Sequence, residues 1–281
     1  MIVAMFPGQG AQYLGMGEKI FENFSDMVTE ASSILGYSVT DLCSGAYPFN
    51  ENDINRTLYS QPAIFLVSCL HYLQHRDMGI DICVGHSLGF ISALFAAGVV
   101  DFSQGIAIVK KRAELMDQAP RGAMAAIIGN NVKSALSSIL IDNELFDIDI
   151  ANYNSDVQIV ISGPESSILA SQPIVEKNSL RFIRLPVSGA FHSRLMQKAR
   201  IDFSEYLINF DFAKPKIDVI SAMNGEKISV DFILEELSFQ LERPVRWSET
   251  ISMINRQNPN AQFKEFGPGK TLTRLNKYII E

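Results

Sequence analysis

The sequence predicts an α/β protein in which a larger α/β part is interrupted by a smaller ferredoxin-like unit, and three observations carry that prediction. Short apolar runs that read as buried strands alternate with longer helical patterns through the first 120 residues. Between residues 122 and 187 the texture changes to strand, helix, strand, strand, helix, strand, the split βαβ order. Beyond that stretch the first pattern returns. The expected units are therefore 1–121 with 188–281, and 122–187.

The elements follow in order. Ile2–Phe6 is an apolar run stopped by Pro7-Gly8, a buried strand feeding a tight turn. Helical pattern runs from there to about Leu35, and residues 38–60 are polar and turn-rich without a period. Pro62 to about Arg76 reads as a mostly buried helix, Ile80–Val84 as a strand, 88–99 as an apolar helix and Ile106–Gln118 as an amphipathic one. Inside the insert, strands are expected at Met124–Ile128, Ile148–Asn152, Gln158–Ser162 and Arg181–Val187, with helices at Val132–Leu140 and Glu165–Val175. Strands near Ile217–Ser221 and Gln262–Phe266 complete the larger part.

Composition narrows the functional classes. The chain of 281 residues is 47% hydrophobic and 20% charged, which excludes collagen-like, disordered and disulfide-scaffold proteins. Its net charge of -7 supplies no basic surplus for general binding of nucleic acid or anionic membranes. Cys43, Cys69 and Cys83 are odd in number and form no CxxC pair, and two of them lie in apolar runs. They read as buried free thiols, and neither a metal site nor a disulfide is expected. MIVAMFPGQG has no basic leader region, and no run reaches the ~18 apolar residues of a membrane span, so a cytoplasmic location is expected.

Gly85-His86-Ser87-Leu88-Gly89 fits G-x-S-x-G. The five-residue pattern is common by chance, but here an apolar strand precedes it and a helix follows, the setting of a nucleophile elbow. Glycines on both sides let the strained turn close against its neighbours. A serine hydroxyl needs a base within hydrogen-bond reach. Of the four histidines, His86 adjoins Ser87 on extended chain and projects to the opposite side. His71 and His75 share a polar helical stripe with Ser68 and read as a solvated face. His192, in the small-residue loop Ser188-Gly189-Ala190-Phe191-His192-Ser193, remains the candidate base.

Arg112 is out of place. Ile108, Val109, Arg112, Leu115 and Met116 share one helical face, whereas Lys110, Lys111, Glu114 and Asp117 lie off it. A cation in an apolar stripe needs an anion, either an internal carboxylate or a substrate carboxylate received by the planar guanidinium fork.

Together with FPGQGAQ (6–12), QPA (61–63), GHSLG (85–89), KKRAELM (110–116), GAFHS (189–193), RPVRW (243–247) and FGPGKTL (266–272), these residues resemble the malonyl-CoA:acyl carrier protein acyltransferase family from residue 2 to about 278. The resemblance implies an α/β-hydrolase-like large subdomain with an inserted ferredoxin-like small subdomain. It implies that Ser87 is the acylated nucleophile, His192 the general base and then acid, and the backbone N–H groups of Gln9 and Leu88 the oxyanion hole. By the same resemblance Arg112 clamps the malonyl carboxylate, Gln61 lines the site, Gln240 orients the histidine, and Ala190-Phe191 matches the malonyl-selecting form of the loop.

The reaction so implied is ping-pong transfer of a malonyl or malonyl-like group from CoA to the phosphopantetheine thiol of an acyl carrier protein, without metal or redox cofactor. The chain is expected to act as a monomer. LGYS (35–38) and VSGAFHSR (187–194) resemble discrete, trans-acting acyltransferases of polyketide assembly more than fatty-acid malonyl transacylases. Two positions depart from the family pattern: Phe90 stands where Glu is usual, and Ala113 where Gly is usual. Phe90 leaves room for an editing acyl hydrolase that clears stalled carrier proteins, although such an enzyme has no use for a buried Arg112. A non-catalytic docking module is the third reading. Because carrier proteins are usually acidic, Arg194, Lys198 and Arg200 are candidates for a local basic docking patch.

Overall fold

A computed structural model describes residues 1–187 and 189–280. Its first strand, β1 (Ile2–Phe6), has almost no polar side chain to present, as expected of a strand covered on both faces. It lies parallel between β2 (Ile82–Gly85) and a strand from the chain's end, β8 (Gln262–Glu265). β7 (Asp218–Ile220) adds to the far side of β2, giving the order β7-β2-β1-β8. The period of two sends Ala4 and Phe6 into one core and Val3 and Met5 into another.

The first helices are α1 (Glu18–Phe21), α2 (Ser25–Leu35), α3 (Val39–Ser44), α4 (Thr57–Gln74), α5 (Gly89–Ala96) and α6 (Phe102–Asp117). α4, α5 and α6 pack on the Phe6 side, around Phe65, Phe90 and Ile106. Two of these differ from expectation. The polar stretch 38–60 holds α3, started by the Ser38 hydroxyl accepting from the Asp41 N–H and stopped by Gly45 at positive φ. α4 begins five residues before Pro62, so the proline sits inside the helix; burial of Ala63–Leu66 offsets the missing backbone donor.

The insert comprises β3 (Ala123–Ile128), α7 (Val132–Asp142), β4 (Asp149–Ser155), β5 (Gln158–Gly163), α8 (Glu165–Lys177) and β6 (Arg181–Arg184). Its sheet runs β4-β5-β3-β6 with every neighbour antiparallel, the ferredoxin-like arrangement. Alternation again divides the faces. Ala123, Ala125 and Ile127 pack with Leu136 of α7 and Ile168 of α8, whereas Met124 and Ala126 join the core of the larger part. β6 is shorter than expected and ends before Pro186, which has no N–H to continue the ladder. Ser188 lies outside the described residues.

The chain returns through α9 (Gln197–Leu207), α10 (Ile233–Phe239), α11 (Trp247–Gln257) and α12 (Thr271–Ile280). α11 and α12 cover the Val3 face of the parallel sheet with Trp247, Ile251 and Leu272. The Trp247 indole N–H donates to Asn276 Oδ1 at 3.0 Å, satisfying the one polar atom of a wholly buried ring. No helix among the described residues is long and apolar enough to cross a membrane.

Candidate active site

The elbow is built by exclusion of side chains. A Cβ on Gly85 would stand 2.1 Å from the carbonyl carbon of Gly89, and one on Gly89 only 1.9 Å from the carbonyl oxygen of Phe6. Only glycine lets β2 turn this sharply into α5. Ser87, at the apex, adopts φ 52°, an uncommon conformation for a non-glycine residue. That conformation presents its hydroxyl to a cavity of about 480 Å³ between the elbow and the second sheet.

His192 closes on it from the other side of the insert. His192 also has positive φ, 57°, and its backbone N–H donates to the Leu241 carbonyl at 3.0 Å. Nε2 stands 2.8 Å from Ser87 Oγ, and Nδ1 stands 3.1 Å from the Arg243 carbonyl. A carbonyl can only accept, so Nδ1 carries the proton and the Nε2 lone pair faces the serine. Burial first, and then the nearby Arg112 charge and His86, lower the His192 pKa to about 3. The imidazole is thus neutral, the form a base requires.

Arg112 is buried, at 2% exposure. Nη1 donates to Gln61 Oε1 at 2.6 Å, and Nη2 to Ser87 Oγ at 3.1 Å and Gln240 Oε1 at 3.4 Å. Among the described residues its Nε has no acceptor, and no carboxylate lies within ion-pair distance. Burial without a counter-charge lowers its pKa to about 9. Of the two alternatives raised by its helical position, the internal carboxylate is absent among the described residues.

The backbone N–H groups of Gln9 and Leu88 have no acceptor among the described residues, and both residues line the cavity. Phe191 lines it too. Gln61 and Gln240 differ from expectation. Gln61 is fully buried behind Arg112 and forms no part of the cavity wall. The Gln240 side chain does not hold His192; the main-chain carbonyl of Arg243 does, and the Gln240 amide oxygen faces Arg112. Both glutamines therefore act on the cation. Phe90 packs in the core away from the cavity, and Ala113 is equally enclosed.

Two further expectations are corrected and a third is extended. Ser68 and His71 are not a solvated face: Ser68 is buried, and half-buried His71 places Nδ1 3.0 Å from the Gly267 carbonyl, tying α4 to the 266–269 turn. Arg194, Lys198 and Arg200 are paired with Asp149, Asp202 and Glu242, at 2.6, 2.6 and 2.7 Å, so their charge is largely neutralised locally. His86 does leave Ser87, but its half-buried ring does more than point away. Nε2 meets Asn154 Oδ1 at 2.8 Å, whose Nδ2 donates to Gln158 Oε1 at 2.9 Å. That chain joins the elbow to β4 and β5.

Sequence reasoning missed Thr57, Asn154 and Gln158. Thr57 accepts from Gln61 Nε2 at 2.8 Å and donates to Gln9 Oε1 at 3.0 Å, linking the residue behind the cation to the Gln9 turn. It lies in the stretch without a period, where nothing but a tertiary contact could mark it.

Residues 3–275 match the acyl transferase domain family. Over 280 residues the chain is 41% identical to the polyketide biosynthesis protein PksE of Bacillus subtilis strain 168, covering 98% of this chain but only 36% of PksE. It is 40% identical to the polyketide biosynthesis malonyl CoA-acyl carrier protein transacylase PksC of that organism, covering 98% and 96%. A crystal structure of malonyl CoA-acyl carrier protein transacylase from Burkholderia pseudomallei superposes with a TM-score of 0.93 at 38% identity, over 99% of this chain and 97% of that one. The chain thus spans about a third of PksE and nearly all of PksC. With an α/β-hydrolase-like larger part and a ferredoxin-like insert, the chain belongs to the acyl transferase domain family and is an acyltransferase.

Proposed function

We propose that the protein moves a malonyl group from CoA to the phosphopantetheine thiol of an acyl carrier protein through an acyl-Ser87 intermediate. The observation that carries the reading is Arg112, a buried guanidinium without a carboxylate partner, 3.1 Å from the hydroxyl that takes the acyl group. Only an acyl group with its own anion a short distance from the carbonyl answers that geometry, and malonyl has one.

In the first half-reaction Ser87 Oγ attacks the thioester carbonyl as its proton passes to His192 Nε2. The oxyanion forms toward the N–H groups of Gln9 and Leu88, where one donor typically changes the rate by about 100–1,000-fold. The intermediate collapses, the C–S bond breaks, and His192 returns the proton to the departing CoA sulfur. In the second, His192 takes the proton of the carrier thiol, the sulfur attacks the acyl-serine, and Ser87 leaves with the proton.

The carboxylate displaces the weak contacts at the Arg112 fork, while Gln61 holds its other edge. The similarity to PksC supports a polyketide pathway as the destination, reached in trans by a chain we read as two units, 1–121 with 188–281 and 122–187. We read it as a monomer of the cytoplasm that needs no cofactor beyond its thioester substrates.

The test is intact mass of the protein after exposure to malonyl-, methylmalonyl- and acetyl-CoA, followed by decay of the adduct in water and onto a holo carrier protein. Malonyl-Ser87 that persists in water and discharges onto the carrier supports the proposal. An adduct that hydrolyses as fast without carrier as with it identifies an editing hydrolase instead.

A further inference from the structure

α4 acts on the Gln9 loop at two places. At its start Thr57 donates to Gln9 Oε1; near its end His71, which is no part of the cavity wall, faces the 266–269 turn. Nδ1 of His71 stands 3.0 Å from the Gly267 carbonyl, and since a carbonyl only accepts, Nδ1 carries the proton. Gly267 is buried, and among the described residues no other group donates to its carbonyl. Loss of His71 as donor therefore leaves a buried acceptor unpaired.

The turn so held lies directly on the loop that carries Gln9. A Cβ on Gly267 would stand 2.5 Å from Pro7 Cγ and 2.7 Å from both Pro7 Cδ and the buried Ser68 hydroxyl, so the turn's backbone rests on the proline ring. Phe266 before it donates its N–H to the Met5 carbonyl at 2.8 Å, and Gly269 after it lies beside the Ala11 carbonyl. The elbow closes the opposite side, where a Cβ on Gly8 would meet the His86 carbonyl oxygen at 2.5 Å. Backbone pairing does not hold this loop. The β1 ladder ends at Phe6, Pro7 has no N–H, and the Gln9 N–H has no acceptor among the described residues. Contact from both sides sets where that N–H points.

We infer that His71 is a positioning residue for acyl transfer: by holding the Gly267 carbonyl it keeps the 266–269 turn on Pro7 and so fixes the aim of the Gln9 N–H. The inference rests on the acyltransferase reading above and adds to it what holds one of the two oxyanion donors in place. Such a donor is effective only when it is aimed before the charge develops. A small displacement of Pro7 is therefore felt at the chemical step and not in the binding of substrate. The effect also differs in kind from that of Arg112. An oxyanion donor serves every acyl group alike, whereas Arg112 serves only those that carry a carboxylate.

The experiment compares wild type with His71→Leu and His71→Ala, which have no donor, and with His71→Asn, whose side-chain amide can donate from the place of Nδ1. Two measurements are made on each: kcat and KM for acylation of Ser87 by malonyl-CoA and by acetyl-CoA, and amide hydrogen exchange read by peptide mass without substrate. For His71→Leu and His71→Ala the expected result is a fall in kcat of roughly tenfold for both thioesters, with KM and the malonyl preference kept. Exchange should quicken by a similar factor in 6–12 and 266–270 but not in 85–96. His71→Asn should restore both. Unchanged exchange in 6–12 in both donor-free variants overturns the inference whatever kcat does, as does a loss of kcat that His71→Asn shares in full. Faster exchange with kcat kept overturns it too, and removes Gln9 from the oxyanion hole. If wild type forms no acyl-enzyme from either thioester, it is the Ser87 assignment that has failed, and exchange in 6–12 alone decides whether His71 braces the loop.

Discussion

Arg112 Nη2 and His192 Nε2 meet at one atom: the Ser87 hydroxyl lies 3.1 Å from the first and 2.8 Å from the second. The hydroxyl can accept from the arginine and donate to the histidine at the same time. The group that would bind the substrate's charge and the group that would remove the serine's proton are thus both set against the nucleophile before substrate arrives.

This shared contact gives the first prediction. Arg112→Ala removes the cation that contacts the nucleophile and should lower kcat/KM for malonyl loading by about 100-fold, near 2.7 kcal/mol, while acetyl loading is retained or rises. Arg112→Lys keeps the charge without the fork and should recover only part of the loss. Acyl-CoA competition read by intact mass checks both, and an unchanged preference for malonyl in Arg112→Ala would remove the clamp role.

A second prediction concerns pH. His192 works as a base only when neutral, and its pKa is held down at about 3 by burial first and then by Arg112 and His86. Lowering pH from 8 to 5 should therefore leave the acylation rate nearly flat, where an ordinary histidine of pKa about 6.5 would lose most of it. In Arg112→Ala the acid limb should move to higher pH, because one of the charges opposing protonation is gone. Stopped-flow release of CoA across pH 4–8 measures both limbs.

Stability should respond to pH through a different group. Glu236 is buried, and desolvation raises its carboxyl from 4.5 to about 7, against the Ser221 hydroxyl that donates to it at 2.5 Å. Its folded pKa is the higher one, so its contribution is present below pH 4.5 and is lost as pH rises through 7. Glu236→Gln cannot ionise, and its Tm relative to wild type should climb between pH 5 and 8 by the equivalent of up to about 3 kcal/mol. Thermal scans at half-unit intervals test it; a constant difference would show that Glu236 does not titrate in this range.

The elbow is the most intolerant place in the fold. Gly89→Ala would place a methyl 1.9 Å from the Phe6 carbonyl oxygen, so β1 or α5 must move. We expect a loss of more than about 2 kcal/mol in urea unfolding and no acyl-enzyme by mass. Gly36→Ala is the control: there a Cβ meets nothing within 4 Å, and only its positive φ is strained.

What could be read in advance follows physical rules that act locally. Apolar runs and period-two alternation located β1, β2 and the insert's strands, because burial of a face is written into every second residue. The elbow was legible because steric exclusion demands glycine at fixed spacing, and Arg112 because a cation interrupts an apolar stripe. Partners chosen only in three dimensions were not legible. Gln240 turned out to face the guanidinium because α10 ends beside α6, and Thr57 found Gln9 across 48 residues. His71 was misread because helical spacing shows which residues share a face and not what that face meets.

β1 and its neighbour β8 lie on opposite sides of the insert along the chain, with Ile2 opposite Gln262. The insert also stands between Ser87 and His192. A ribosome therefore releases the nucleophile long before its base, and the sheet beneath the nucleophile stays open along one edge until β8 emerges. A chain cut before residue 192 keeps the elbow serine without the histidine set against it, and one cut before residue 262 leaves the β1 edge without β8.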